Sequence, residues 1–463
     1  MIPAVEMAKL FASRGVKTTF LTSPGFAEPI QKARDSGTDI SLSIIKFPPE
    51  GSGLPDHFVN VDQIMSDAQV SDFVKALYLI QEPVEKLIQD LRPTCLVADM
   101  FLPWTVDTAA KFGIPRLVFH GTGYLSLCAF EQMHRHEPFK NVSCDSEPFV
   151  VPDLPHQLEF VRTQVSESDI MENGNDFSKL VKQMRESDYR SYGVVINSFY
   201  ELEPDYADYY RKVLGRKAWN IGPLLLCNDG DEAKAERGKK SSVDVHECLA
   251  WLDSKKPNSV VYVCFGSKVN FSRSQLHEIA GGLEASGQDF VWVVTKSKNE
   301  EENEERLPQG FVHRTQERGL TIQGWAPQVM ILDHPAIGAF VTHCGWNSTL
   351  EGVCAGVPMV TWPLFAEQFF NEKLVTEVLR IGAPVGNKKW QQVGSEGVAG
   401  EALANAVQLV MAGESASEMR SRAKYYKEMA RKAVEEGGSS YNDLSALIED
   451  LSTYSPLLQN NIM

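Results

Sequence analysis

No apolar run in the 463 residues approaches the roughly 18 needed to cross a bilayer. The N-terminus lacks the basic start, apolar core and cleavage site of a secretory signal. Eight cysteines (Cys95, Cys128, Cys144, Cys227, Cys248, Cys264, Cys344 and Cys354) form no CxxC pair and no zinc spacing. They read as reduced thiols, and the chain is expected to be cytoplasmic. Positive charge is short: 45 Lys and Arg against 61 Asp and Glu give a formal charge of −16. Such a surface repels nucleic acid and anionic membranes, so any phosphate must be held locally. No GxGxxG occurs, which removes the fingerprint of a dinucleotide dehydrogenase. The sequons at Asn141, Asn270 and Asn347 read as chance in a cytoplasmic chain.

What remains is a globular composition, 43% hydrophobic and 23% charged, in a chain long enough for two domains. Apolar periodicity predicts a helix from Ala4 to Phe11. Short strands follow at 18–22, 40–47, 96–99, 116–119, 194–197 and 219–221, with helices at 66–91 and 104–112 among them. A second alternation has strands at 260–265, 290–294, 320–322, 337–342 and 359–361, and helices at 274–284, 400–412, 415–436 and 441–451. Strands alternating with helices indicate parallel sheets covered on both faces, an α/β doubly wound class. Residues 227–245 are charged, small and without apolar rhythm, and read as a solvated linker. Asp229-Gly230-Asp231 within it has the form of a DxD metal motif, but no strand places those carboxylates at a site. Residues 296–306 read as a solvated loop. The expected division is 1–226, linker 227–245, 246–440, and a helix with tail at 441–463.

The stretch from Trp325 to Gln368 carries the chemistry. Strand 337–342 turns out through His343-Cys344-Gly345 into a helix that Asn347 or Ser348 would cap and Gly356 would end. A helix N-terminus after a parallel strand presents free N–H groups and positive dipole, which suits a pyrophosphate. His343, Asn347 and Ser348 can donate to phosphate oxygens, with ordinary capping as the alternative for the last two. Glu351, one turn in, either complements the dipole or accepts two ribose hydroxyls. Trp325 offers a face to a base or is a buried structural residue, with Gln328 three positions on. Trp346 sits in the phosphate turn, and Glu367-Gln368 can grip vicinal sugar hydroxyls.

This stretch resembles, nearly residue for residue and without a gap, the signature box of plant secondary-product UDP-glycosyltransferases. LVADMFLPW, INSFYELEP, NIGPL and VYVCFGS extend the resemblance over essentially the whole chain, nearest the subgroup acting on flavonoids, triterpenoids and phenolics. It implies a GT-B fold, two Rossmann-like domains facing across a cleft, with donor in the second half and acceptor in the first. It implies that the final helix packs back on the first domain. Trp325 would then stack on uracil, with Ala326 backbone and Gln328 on its edge. Ser267, His343, Asn347 and Ser348 would hold the phosphates, and Glu351 the ribose. Trp346, Glu367 and Gln368 would hold the hexose, and a terminal Gln such as Gln368 goes with glucose. UDP-glucose is implied as co-substrate, with no other cofactor, no metal, a small hydrophobic acceptor, and a monomer at work.

The family's general-base His lies just before the Met-Ile-Pro that starts the first helix, and its partner Asp matches Asp99. This chain opens at Met1-Ile2-Pro3, so that His and the strand before it are missing from the sequence. The chain is expected to be truncated relative to the family, with a gap or non-standard pairing between strands 18–22 and 96–99. A UDP-sugar-binding protein without activity, or a catalyst in which His120 takes the base's place, stays open. Phe101, Trp104, His120 and Tyr124 are candidates for the acceptor pocket, with core packing as their alternative.

Overall fold

The computed structural model describes residues 2–59, 63, 67–166, 175–227, 230, 237–238, 241–295, 306–391 and 397–454. Helix α1 (Ile2–Ser13) buries Met7 and Phe11 in one apolar cluster and Val5 and Ala8 in another, and the chain leaves it through Gly15 at φ 74°. Strand β1 (Thr18–Thr22) pairs in parallel with β2 (Ile40–Ile44) as a separate two-stranded sheet. Strands β3 (Leu96–Asp99) and β4 (Arg116–His120) begin a second sheet. The antiparallel pair β5 (Pro148–Val150) and β6 (Glu159–Val161) stands apart from it. Strands β7 (Gly193–Ile196) and β8 (Ala218–Asn220) complete the parallel order β3-β4-β7-β8. Among the described residues no ladder joins β1 to β3, although Leu21 and Leu96 pack in one apolar cluster.

The expected helix over 66–91 is two helices, Asp67–Leu79 and Gln81–Leu91. Pro83 explains the break, because its ring would clash with the Leu79 carbonyl in a continuous helix. Two helices missed by periodicity face the cleft: α2 (Tyr124–His136) after β4, and α3 (Asp176–Arg190) before β7. Gly123, at the N-cap of α2, has no side chain to satisfy the first N–H groups. Glu203 does so from elsewhere in the chain, accepting Tyr124 N at 3.2 Å, Leu125 N at 2.8 Å and the Ser198 hydroxyl at 3.0 Å. Burial pushes its carboxyl up to about 6.

The second half is one six-stranded parallel sheet. Its strands are β9 (Val260–Cys264), β10 (Asp289–Val294), β11 (Gly319–Gln323), β12 (Ile337–Thr342), β13 (Met359–Thr361) and β14 (Gly382–Pro384), in the order β11-β10-β9-β12-β13-β14. Alternate residues of β9 enter opposite clusters: Val260 and Tyr262 on one face, Val261 and Val263 on the other. A strand buried on both faces needs this continuous apolar run. The first of those clusters runs on into Tyr124, Leu125 and Cys128 of α2, so the halves share a core at the base of the cleft. Helix α4 (Trp346–Ala355) follows β12. Helix α5 (Ser439–Ser452) crosses back to the first half, where Leu444 and Leu447 pack with Met7, Phe11, Leu117 and Trp219. Asp443 accepts the Asn220 backbone N–H at 2.9 Å, and Asp450 accepts the Tyr192 hydroxyl at 2.8 Å.

Glu372, only 6% exposed, accepts the Thr361 hydroxyl at 2.8 Å, and burial pushes its carboxyl up to about 8. The folded protein therefore keeps this proton to a higher pH than the unfolded chain. The associated stability is complete below the unfolded value and is lost as pH rises toward 8. Glu372→Gln should raise the apparent Tm by about 5 °C near pH 8.5 and by nothing near pH 4.5, read by thermal scans across that range.

Candidate active site

A cavity of about 1760 Å³ lies between the halves, lined from both. Its polar end is built on the loops after β9, β11, β12 and β13. His343 leaves β12 between two glycines. A Cβ on Gly266 would stand 2.8 Å from His343 Cε1, and one on Gly345 would stand 2.6 Å from Nε2. Neither position tolerates a side chain with the ring where it is. Burial pushes the imidazole down to about 4, so at neutral pH it is an uncharged hydrogen-bonding group. Its Nδ1 finds no partner. A buried ring nitrogen with no partner, beside a helix N-terminus, suits an anionic ligand.

The cap differs from expectation. Helix α4 begins at Trp346 with Gly345 as N-cap and no side-chain cap bond, so Asn347 and Ser348 lie inside its first turn. The turn explains this: Cys344 takes a positive φ of 63°, and the Gly345 carbonyl already accepts Thr349 N at 3.0 Å. Ser267, Asn347 and Ser348 all line the cavity around this turn.

Glu351 projects from α4 and is 5% exposed. Its two oxygens accept from Gln328 Nε2 and from Arg237 Nη1. Arg237 Nε also donates to Glu6 Oε1 of α1 at 2.7 Å. This corrects the solvated linker at its described residues. Two buried carboxylates, one from each half, require a cation, and Arg237 supplies it. Gly238 lies against the Trp325 indole, since a Cβ there would come within 2.2 Å of Cζ2. Ser242 ties the Trp325 backbone from both directions, at 2.7 and 2.8 Å. Gln328 Oε1 accepts the Tyr262 hydroxyl at 3.2 Å, and the Ala326 carbonyl accepts Gln328 N at 2.8 Å. Asp229 and Asp231 lie outside the described residues, as do 296–305.

Trp346 lines the cavity at this turn, and its side chain also has a structural duty. Its indole N–H donates to the Asn197 carbonyl of the first half at 2.8 Å, and the residue is 2% exposed. The ring fits only because Gly123 has no Cβ, which would stand 2.5 Å from Cη2. Its polar edge is therefore spent on joining the halves and is not free to grip a sugar. Glu367 accepts the Trp346 backbone N–H at 3.3 Å, and burial raises its carboxyl. Gln368 spends its carbonyl on Leu364 N and Phe365 N, at 2.9 and 3.1 Å, which leaves its amide N–H₂ as the end open to a ligand.

The other end of the cavity is apolar, with Phe101, Phe130, Phe139, Phe160 and Met184 in its wall. Asp99 stands at the end of β3, exposed, with Oδ1 accepting Phe101 N at 2.9 Å. His120 lines the same space as the last residue of β4, not beyond it. Trp104 and Tyr124 do not line it. Trp104 is buried with its N–H on the Leu77 carbonyl at 2.8 Å, and Tyr124 is fully buried edge-on to Tyr210.

The sequence profile of the UDP-glucoronosyl and UDP-glucosyl transferase family matches residues 134–422. A scopoletin glucosyltransferase of Nicotiana tabacum is 61% identical over 98% of this chain and 96% of its own. The chain belongs to the UDP-glycosyltransferase family. An anthocyanin 3'-O-beta-glucosyltransferase of Gentiana triflora is 53% identical, again over 98% and 96%. A Glycyrrhiza uralensis UGT solved with glycyrrhetinic acid 3-O-monoglucuronide superposes with a TM-score of 0.90 at 41% identity, over 99% of this chain and 94% of that one. A Medicago truncatula UGT solved with UDP-glucose gives 0.79 at 27% identity, over 97% and 95%. The architecture of this UDP-glycosyltransferase is GT-B, as the resemblance implies. Among its described residues no helix is long and apolar enough to cross a membrane.

Proposed function

We propose that this UDP-glycosyltransferase transfers glucose from UDP-glucose, with inversion, to a hydroxyl of a small hydrophobic plant metabolite of phenolic, flavonoid or triterpenoid type. The observation that carries the reading is one continuous cavity joining a polar end, with His343 Nδ1 unpartnered and Glu351 buried, to an aromatic wall. Uracil stacks on Trp325 and meets Ala326 and Gln328, while the ribose hydroxyls replace the Arg237 guanidinium on Glu351. Ser267, His343, Asn347, Ser348 and the first turn of α4 receive the pyrophosphate. Glu367 and the Gln368 amide receive the hexose hydroxyls. The acceptor oxygen bonds to the anomeric carbon, the bond from that carbon to the β-phosphate oxygen breaks, and UDP leaves. The acceptor proton passes to water at the exposed Asp99 carboxylate, which lines this end of the cavity. This reading uses no metal and no other cofactor, because neutral His343 and the helix dipole meet the charge that grows on UDP. The free cysteines support a cytoplasmic setting.

Incubation with UDP-glucose and a flavone, followed by mass spectrometry, should yield a β-glucoside and equimolar UDP. UDP binding without product under any acceptor would favour a donor-binding protein, and absence of UDP binding would sink the site.

A further inference from the structure

We propose that His120, Thr122 and Asp188 form a subsite that binds a second, non-reacting hydroxyl of a neutral polyhydroxylated aromatic acceptor. The proposal rests on the reading of the cavity's apolar end as the acceptor site. All three residues line that end. His120, at the end of β4, and Thr122, two residues on, are 6% and 7% exposed, and Asp188 of α3 reaches His120. Each carries a buried polar atom without a hydrogen-bond partner: His120 Nε2, Thr122 Oγ1 and Asp188 Oδ1. His120 Nε2 stands 2.8 Å from Asp188 Oδ2, close but without hydrogen-bond geometry. Folded proteins satisfy nearly all such atoms, and orphans concentrated on one cavity wall mark where a ligand completes the set.

The donors and acceptors define the ligand. A carboxylate oxygen accepts from an O–H, while an imidazole N–H or a threonine hydroxyl donates to its oxygen. One hydroxyl meets both demands. Arg116 is the buried cation nearby, with Nη1 3.7 Å from Asp188 Oδ1. It is not available to a ligand, because its donors go to Thr105 Oγ1 at 3.1 Å, Ser191 Oγ at 2.8 Å and the Leu102 carbonyl at 3.4 Å. Asp99 and Asp188 both act on that one guanidinium. The Asp99 and Asp188 carboxylates on this wall disfavour an anionic acceptor placed against them.

Placement fits a second hydroxyl near the reacting one. Asp99 pairs in register with Phe119, so His120 is one position further along the neighbouring strand. Asp99 and His120 both line the cavity from the ends of these two strands.

The test is titration calorimetry on the full chain saturated with UDP, using luteolin and apigenin, which differ by one ring hydroxyl. This readout needs no turnover. Wild type should bind luteolin about tenfold more tightly, and Thr122→Val and Asp188→Asn should each bring the ratio to about one. Methyl caffeate should also bind more tightly than caffeate, and Asp188→Asn should shrink that gap. Thermal scans identify any variant that fails to fold, and either variant alone suffices. Equal affinity for the two flavones in wild type, or an unchanged ratio in a folded variant, overturns the subsite and leaves the glucosyl-transfer reading standing. UDP binding with no flavone binding overturns both.

Discussion

His343→Leu is expected to lower kcat/KM for UDP-glucose by about 10²–10³-fold, the usual cost of removing one preorganised donor from developing negative charge. Leucine suits the space between Gly266 and Gly345 without adding a branch at Cβ, so the loss belongs to the ring nitrogens. Two features make the expectation specific. The imidazole is uncharged at neutral pH, because burial pushes it down to about 4. It therefore acts through hydrogen bonding, and His343→Gln should recover part of what leucine removes. For the same reason the rate should show no step assignable to His343 between about pH 6 and 8. A glutamine variant as impaired as leucine, or a wild-type step that both variants abolish, would show that a charged imidazolium is required.

Trp346→Ala is expected to destabilise the protein by about 3–5 kcal/mol, as for other fully buried aromatic side chains. It should also separate the transitions of the two halves in a thermal scan, since the ring lies at their junction. Part of the cost comes from the Asn197 carbonyl, left buried without the 2.8 Å bond from the indole. Trp346→Phe isolates that part: it keeps an aromatic ring against Gly123 and should cost about 1–3 kcal/mol. Were Trp346 instead a sugar contact with no structural duty, both variants would raise KM for UDP-glucose and leave the melting profile unchanged. Calorimetry and donor kinetics on the same preparations decide between the two.

Five strands of the second sheet were legible because a strand buried on both faces must be nearly all apolar, as Val260 to Val263 are, whereas the short edge strand β14, with Gly382 and Pro384, was not. His343 was legible as a polar residue at a strand end before a glycine turn. Arg237 was not, because a cation in a run of small and charged residues looks the same whether it faces water or two distant carboxylates. The Trp346 indole gave no sign of its partner, since Asn197 lies far away in sequence and the bond uses only backbone on that side. Helices α2 and α3 escaped because their faces are mixed: α2 is buried along much of its length, and α3 is charged with Leu180 and Ser187 as its buried residues. The His120, Thr122 and Asp188 group joins a strand end to a helix that periodicity had not found.

Helix α5 bears on the order in which the molecule assembles. Met7 and Phe11, made early, share a cluster with Leu444 and Leu447, made more than four hundred residues later. At about 5–20 residues per second, the ribosome takes on the order of tens of seconds to cover that distance. From the moment β8 is made until α5 follows, the surface of β8 and α1 lacks its covering helix, and Asn220 lacks Asp443. The second half, whose six strands arise within one continuous segment, has no such wait. The half made second is therefore expected to finish first, and the surface left open in the meantime is the part of the nascent chain most in need of a chaperone.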